Sequence, residues 1–317
     1  MEILKLNPVF KDYIWGGTRL RDEFKMETDM DPVAEGWMLA CHKDGMNTID
    51  GGRYDGKTLK EVIDENGEIK ILGKNSEKFA YFPILIKIID AKDNLSIQVH
   101  PDDAYAKRVE HEFGKTEIWY VLDADEGAEL IYGFKEKISK DEFRKAIESN
   151  TLPEVLNSVK VHKGDLFFIE AGTVHAIGKG TLIAEIQQNS NSTYRVYDYG
   201  RLGKDGKPRE LHIDKAVDVT VTEPPKYGTK PQGEPKKITG GTEQLLTECD
   251  LFTVYRYDCA DKIELTAGED SFNHLLIVDG GGKICGRDFV KGNSFFVPAG
   301  YGRYELSGKA EIILTKI

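Results

Sequence analysis

Four side chains with metal-binding chemistry lie far apart in this chain, at positions that strand and turn geometry can aim into one space. In Ser96-Ile97-Gln98-Val99-His100 the period of two puts Gln98 and His100 on one face and Ile97 and Val99 on the other. Glu117 opens the next apolar strand, Lys115-Thr116-Glu117-Ile118-Trp119, and His175 follows an Ala171-Gly172 corner where a tight turn can direct it inward. Amide, imidazole, carboxylate and imidazole suit a divalent transition metal. Two His and one Glu with an open or weakly held position form a pattern of catalytic rather than structural zinc sites. One zinc ion per chain is therefore the expected cofactor. A single buried histidine is more often a packed core residue, so the expectation rests on the joint pattern. His111, His162 and His212 lack partners at useful spacing and are assigned surface or structural roles.

Two lysines belong to the same chemistry. Lys115 lies two residues before Glu117, where alternation returns a side chain to the ligand-bearing face; it is the candidate proton-transfer base, with a phosphate contact or a solvated loop charge as alternatives. Lys87 sits inside the apolar run Pro83 to Ile89, where an unpaired ammonium is costly to bury. It is expected to hold a phosphate or neutralise a carboxylate of the metal site, unless it reaches water from an edge strand.

These residues need strands to hold them. Most of the sequence reads as short apolar, β-branched strands punctuated by Gly, Asp and Asn. One helical window starts at Ile138-Ser139-Lys140-Asp141-Glu142-Phe143, where Ser139 and Glu142 make a capping box and Ile138 with Phe143 a hydrophobic staple. A second capping-box signature, Thr151 to Glu154, is followed by Leu152, Val155, Leu156 and Val159 along one helical face. Together these predict a helical insert near 136–160. A third window, Glu210 to Val219, is expected to pack across a sheet.

The chain also repeats itself. Gly164 to Gly172 aligns without gaps on Gly292 to Gly300, and the strand Glu117 to Asp123 on Asn273 to Asp279. A glycine turn, a strand and an Ala-Gly corner resemble a conserved motif of the cupin fold, a small jelly-roll barrel. The expected class is thus mainly β, two cupin-type jelly-roll barrels with a small helical insert in the first. Residues 1–235 form the catalytic unit and 242–317 a degenerate unit without metal, because Asn273 stands at the position of Glu117 and Arg303 at that of His175. Lys226 to Gly241, rich in Lys, Gly, Pro and Thr, reads as the linker.

Composition sets the outer limits. With 317 residues, 40% hydrophobic and 31% charged, the chain is long enough for a substantial core. Its formal charge of -11 repels nucleic acid and anionic membrane surfaces, so an anionic ligand needs a local basic pocket. The four cysteines, Cys41, Cys249, Cys259 and Cys285, lack a disulfide spacing and read as buried small apolar groups. With no apolar segment long enough to span a bilayer and no secretory leader pattern, a cytoplasmic location is expected, as a monomer or homodimer.

Across almost its whole length the chain resembles the short bacterial type I mannose-6-phosphate isomerases. The resemblance lies in Leu6-Asn7-Pro8-Val9-Phe10, Ile14-Trp15-Gly16-Gly17, Ala34-Glu35-Gly36-Trp37, Phe82 to Lys87, Ser96 to Asp103, and Gly114 to Glu117. It continues in Ala171 to Gly178, Gln187 to Ser190 and Tyr194 to Tyr199. It implies that Gln98, His100, Glu117 and His175 are zinc ligands, that Arg195 is the active-site arginine, and that the substrate is a sugar phosphate. Guanidinium stays protonated, so Arg195 is expected to stabilise an enediolate or orient substrate rather than act as a base. Gly200-Arg201 and Lys204, just beyond, offer positive charge for a phosphate. Trp15, Trp37, Trp119 and Tyr194 can wall a sugar pocket, although most such rings are core. Gly36 replaces a usual Ser and Glu170 a usual Pro. Two His and a carboxylate also describe non-haem iron dioxygenases, and a non-catalytic sugar-phosphate-binding protein retains the same barrel; these are the alternatives.

Overall fold

A computed structural model describes residues 1–203 and 205–317. Lys204, named above as a phosphate contact, lies outside the described residues. Strands dominate the architecture. A six-stranded antiparallel sheet runs in the order Leu166–Ile169, Glu117–Ala124, Thr181–Gln188, Ile84–Ala91, Glu35–Leu39, Val9–Lys11. A five-stranded sheet runs Leu156–Lys160, Glu129–Phe134, His175–Ala176, Ile97–Val99, Tyr194–Tyr197. Trp119, Phe167 and Ile169 from the first pack with Leu130 and Tyr132 from the second in one apolar cluster, so the two sheets enclose a common core.

The remaining large sheet belongs chiefly to the C-terminal region, in the order Lys236–Ile238, Gly241–Glu248, Thr253–Cys259, Gly302–Lys316, Asn273–Ile284, Ser294–Val297. Two strands from the start of the chain, Leu4–Asn7 and Thr48–Ile49, extend it beyond Ser294–Val297. The stretch 226–241 is therefore only partly a connector, since Lys236–Ile238 pairs into this sheet.

The sequence repeat reappears as a repeat of hydrogen bonding. Glu117 pairs with Ile169, and Asn273 pairs with Val297. The turn amide of Gly164 donates to the Val121 carbonyl at 2.9 Å, and that of Gly292 to the Ile277 carbonyl at 2.8 Å. The two copies thus share one register, because the glycine at the turn and the apolar alternation they have in common fix it.

The helical insert differs in part from expectation. Lys140–Glu148 is a helix with the Ser139/Glu142 capping box formed, and Ile138 and Phe143 lie in one apolar cluster. The second window is corrected: its helix covers only Leu152–Val155, and Leu156–Lys160 is a strand paired with Glu129–Phe134. The Thr151 hydroxyl bonds Ser149 Oγ at 2.9 Å and caps nothing, and β-branched Val159 pairs opposite Leu130. The third window is a helix over Ile213–Val219 packed on Ile97, Val99 and Val196. The cysteine reading is also corrected. Cys41 and Cys259 are buried, but Cys249 is half-buried and Cys285 is exposed, in a turn at φ +46°. No helix among the described residues is long and apolar enough to cross a membrane.

Candidate metal centre

Antiparallel partners share a face, and this sets the site. His175 pairs with Gln98, and Gln98 pairs on its other side with Arg195, so the three side chains form one row across the five-stranded sheet. Opposite them, Trp119, Glu185, Lys87 and Trp37 form a row across the six-stranded sheet, with Glu117 two residues before Trp119. His175 reaches its place through the Ala171-Gly172 corner. Gly172 has φ +90°, and a Cβ there would lie 2.9 Å from the Val219 carbonyl oxygen.

Donor atoms of His100, Glu117 and His175 all lie within 4.8 Å of one another, and all three residues are buried. The two Nε2 atoms are 3.1 Å apart, Glu117 Oε1 is 3.5 Å from His175 Nε2, and Glu117 Oε2 is 3.8 Å from His100 Nε2. Gln98 Nε2 is 3.4 Å from His175 Nε2. All four expected ligands therefore converge.

The donor set fits a cation. His100 Nδ1 bonds the Ser192 carbonyl at 2.9 Å and His175 Nδ1 the Thr173 carbonyl at 2.8 Å. A carbonyl only accepts, so both Nδ1 atoms carry the proton and both Nε2 atoms present lone pairs toward each other. Two lone pairs and a buried carboxylate repel; Lys115 Nζ meets only His100 and Glu117, so a cation among the three donors would relieve the rest. Burial, aided by the Lys115 charge, pushes the His100 imidazole well below its ordinary value and His175 down to about 3, so both rings are neutral at physiological pH, the form that can bind a metal ion.

A chain of charges leads away from the centre. Lys115 Nζ is 2.8 Å from Glu117 Oε2, 3.1 Å from His100 Nε2 and 3.8 Å from Glu185 Oε1. Lys87 lies 3.1 Å from Glu185 and 3.7 Å from Glu35. Lys87 thus pairs with two buried carboxylates next to the donor set rather than with Glu117 itself. Burial raises the Glu185 carboxyl, but Lys115 and Lys87 outweigh it and hold the group down at about 2. Burial and the Glu185 charge push Glu117 up to about 7. Indole N–H groups complete the network: Trp119 donates to Glu185 at 2.9 Å and Trp37 to Glu35 at 2.7 Å.

A cavity of about 310 Å³ opens onto these groups, at the small end of the roughly 300–1,000 Å³ of ligand pockets. Gln98, Lys115, Lys87 and Arg195 line it. Arg195 Nη1 donates to the Glu210 carbonyl at 2.9 Å, which holds the guanidinium at the rim. Arg201 is not among the lining residues. It donates to Asp198 at 2.6 Å, and Asp198 in turn accepts from Arg209 at 2.7 Å, which does line the cavity. Of the aromatic candidates Trp15 lines the cavity; Trp37 and Trp119 are fully buried, and the Tyr194 hydroxyl donates to Glu110. Sequence reasoning passed over Glu35, Glu185 and Arg209. Glu185 was readable by the signal that exposed Lys87, a charge inside an apolar strand; Arg209 stands on a polar turn and carries no such signal.

Comparison with known proteins agrees with this geometry. The family model described as phosphomannose isomerase type I, catalytic domain, matches residues 3–136, and that described as mannose-6-phosphate isomerase, cupin domain, matches residues 242–317. Mannose-6-phosphate isomerase ManA of Bacillus subtilis is 38% identical over 323 residues, covering 100% of this chain and 99% of its own. The putative mannose-6-phosphate isomerase YvyI of the same organism is 39% identical over 318 residues, 98% of each chain. The crystal structure of mannose 6-phosphate isomerase from Bacillus subtilis superposes with a TM-score of 0.90 at 36% identity, covering 100% of both chains. With both halves matched and relatives aligned from end to end, the chain belongs to the type I mannose-6-phosphate isomerase family.

Proposed function

We propose that the protein is a zinc-dependent aldose-ketose isomerase interconverting mannose 6-phosphate and fructose 6-phosphate through an enediol. The observation that carries this reading is the convergence of Gln98, His100, Glu117 and His175 beside a cavity that also presents Lys115 and Arg195. A bound zinc ion supplies electrophilic stabilisation of negative charge developing on a sugar oxygen. Every other part of the reaction falls to the chain.

His100, His175, Glu117 and Gln98 hold the ion. Lys115, at the cavity floor, moves the proton between C1 and C2 at its Nζ. Arg195 faces the developing enediolate with a fixed positive charge. Glu185, itself paired with Lys87, and Glu117 hold Lys115 in place by opposite charge, and Arg209, with Arg201 fixing their shared Asp198, adds positive field at the mouth for the substrate phosphate. Residues 1–235 make up this catalytic unit and 242–317 a companion unit without metal, in a cytoplasmic monomer or homodimer.

The test is a coupled assay of mannose 6-phosphate conversion before and after chelation, with zinc then restored. Loss and recovery of turnover are expected. Turnover that survives complete metal removal overturns the reading.

A further inference from the structure

A cavity of about 870 Å³ lies away from the metal centre, lined chiefly by the C-terminal unit with Asn75 and Lys78 from the first. Strand register shows that the two cavities occupy equivalent places. In the first unit Lys87 pairs with Glu185 and Glu185 with Trp119; in the second Tyr255 pairs with Leu314 and Leu314 with Leu275. One step further, Ile89 pairs with Glu35 as Tyr257 pairs with Glu243. Glu35, Lys87, Ile89 and Glu185 line the first cavity, and their counterparts Glu243, Tyr255, Tyr257 and Leu314 line the second, together with Asn273, the counterpart of Glu117.

The chemistry at these matched places is inverted. The catalytic cavity presents Lys87, Lys115, Arg195 and Arg209 against Glu35 and Glu185. The second presents Glu243, Glu248, Asp250 and Asp270 against Lys78 and Lys316. A buried ion pair has become a phenol and an isobutyl group, and a metal-facing carboxylate has become an amide. Asn273 Nδ2 donates to the Thr266 carbonyl at 3.0 Å and to Tyr304 Oη at 2.8 Å. Glu243 accepts from the Tyr257 hydroxyl at 2.6 Å, which fixes one carboxylate against the ring.

Acidic walls repel a sugar phosphate. Tyr257 is buried, but the half-buried Tyr255 ring, with Lys316 Nζ 5.4 Å from its centroid, offers a flat apolar face to C–H groups, and carboxylates accept hydrogen bonds from hydroxyls. We propose that the C-terminal cavity is a second ligand site, selective for uncharged carbohydrate and independent of the metal.

The test is isothermal titration calorimetry of the full-length, zinc-loaded protein with mannobiose, cellobiose and maltose. At least one is expected to bind saturably, unchanged by chelation and not displaced by mannose 6-phosphate. Tyr255→Ala and Glu243→Gln should each weaken it about tenfold while mannose 6-phosphate turnover stays at its normal rate. Thermal melting confirms that each variant is folded, and Glu243→Gln preserves shape should Tyr255→Ala be destabilised. The inference is overturned by no saturable heat from any of the three sugars, by competition from mannose 6-phosphate, or by unchanged affinity in both folded variants.

Discussion

His100 and His175 bring their Nε2 atoms to 3.1 Å in a buried space, with Lys115 Nζ 3.1 Å from the first, and each ring is locked by a backbone carbonyl on its far nitrogen. Removing either imidazole deletes a donor that nothing nearby replaces. His100→Ala or His175→Ala is expected to abolish bound metal and turnover together, measured by elemental analysis and the coupled assay; full occupancy with normal turnover would contradict the assignment. Arg195 differs because it lies in the row with Gln98 but is held at the rim by Glu210. Arg195→Ala should keep the metal while kcat falls about 10²–10³-fold, the usual loss for one donor aimed at a developing oxyanion. An unchanged kcat would remove Arg195 from the chemistry. At this scale the sequence was most legible, since alternation in Ser96 to His100 and the corner before His175 were enough to bring these side chains into one space. The partners of Lys87 were hidden, because Glu35 and Glu185 meet it only through sheet pairing between distant strands.

Two elements of similar energetic weight should separate stability from function. Ser139 caps the helix Lys140–Glu148, well away from the donors. Ser139→Ala should cost about 1 kcal/mol, seen as a lower urea midpoint, with zinc affinity unmoved. Gly172 holds the corner that aims His175. Gly172→Ala should cost about 1–3 kcal/mol, because the alanine is strained at φ +90° and its Cβ meets the Val219 carbonyl. Unlike the cap variant it should also weaken zinc in a chelator competition; equal zinc affinity in the two variants would show that the corner does not set the ligand. The capping boxes show why local patterns can mislead. Ser139/Glu142 formed, and so did Thr58/Glu61 before the helix Leu59–Asn66, which had been passed over. Thr151/Glu154 carries the same letters, yet the residues after it were claimed by a neighbouring strand, an outcome decided by tertiary pairing.

Across the whole molecule the units are joined by buried polar contacts as well as by shared sheet. His274 is fully buried and faces Ser294 Oγ at 2.8 Å, while Ser294 donates to the Met38 carbonyl at 2.7 Å. Ser294 spends its proton on Met38, so His274 Nε2–H donates to Ser294 and the ring is neutral. Burial holds this imidazole down at about 3, against about 6.5 in an unfolded chain. The unfolded state therefore takes up a proton first as pH falls, and this group's stabilisation is complete above about pH 6.5 and lost progressively toward pH 3. At pH 5 the loss is about 2 kcal/mol. His274→Gln should flatten the fall in urea midpoint between neutral and mildly acid pH; an unchanged slope would mean that His274 is not the group responsible. The repeat itself was legible because glycine turns and apolar alternation survive sequence drift. What the repeat could not reveal is that Leu4–Asn7 lies in the sheet of the other unit.

That strand has a consequence for the order of assembly. During synthesis residues 4–7 leave the ribosome long before their partners 294–297, so one edge of this strand can pair early with Thr48–Ile49 while the other waits for a segment made much later. Its brevity and the charge of Lys5 limit what the open edge can wrongly join while it waits.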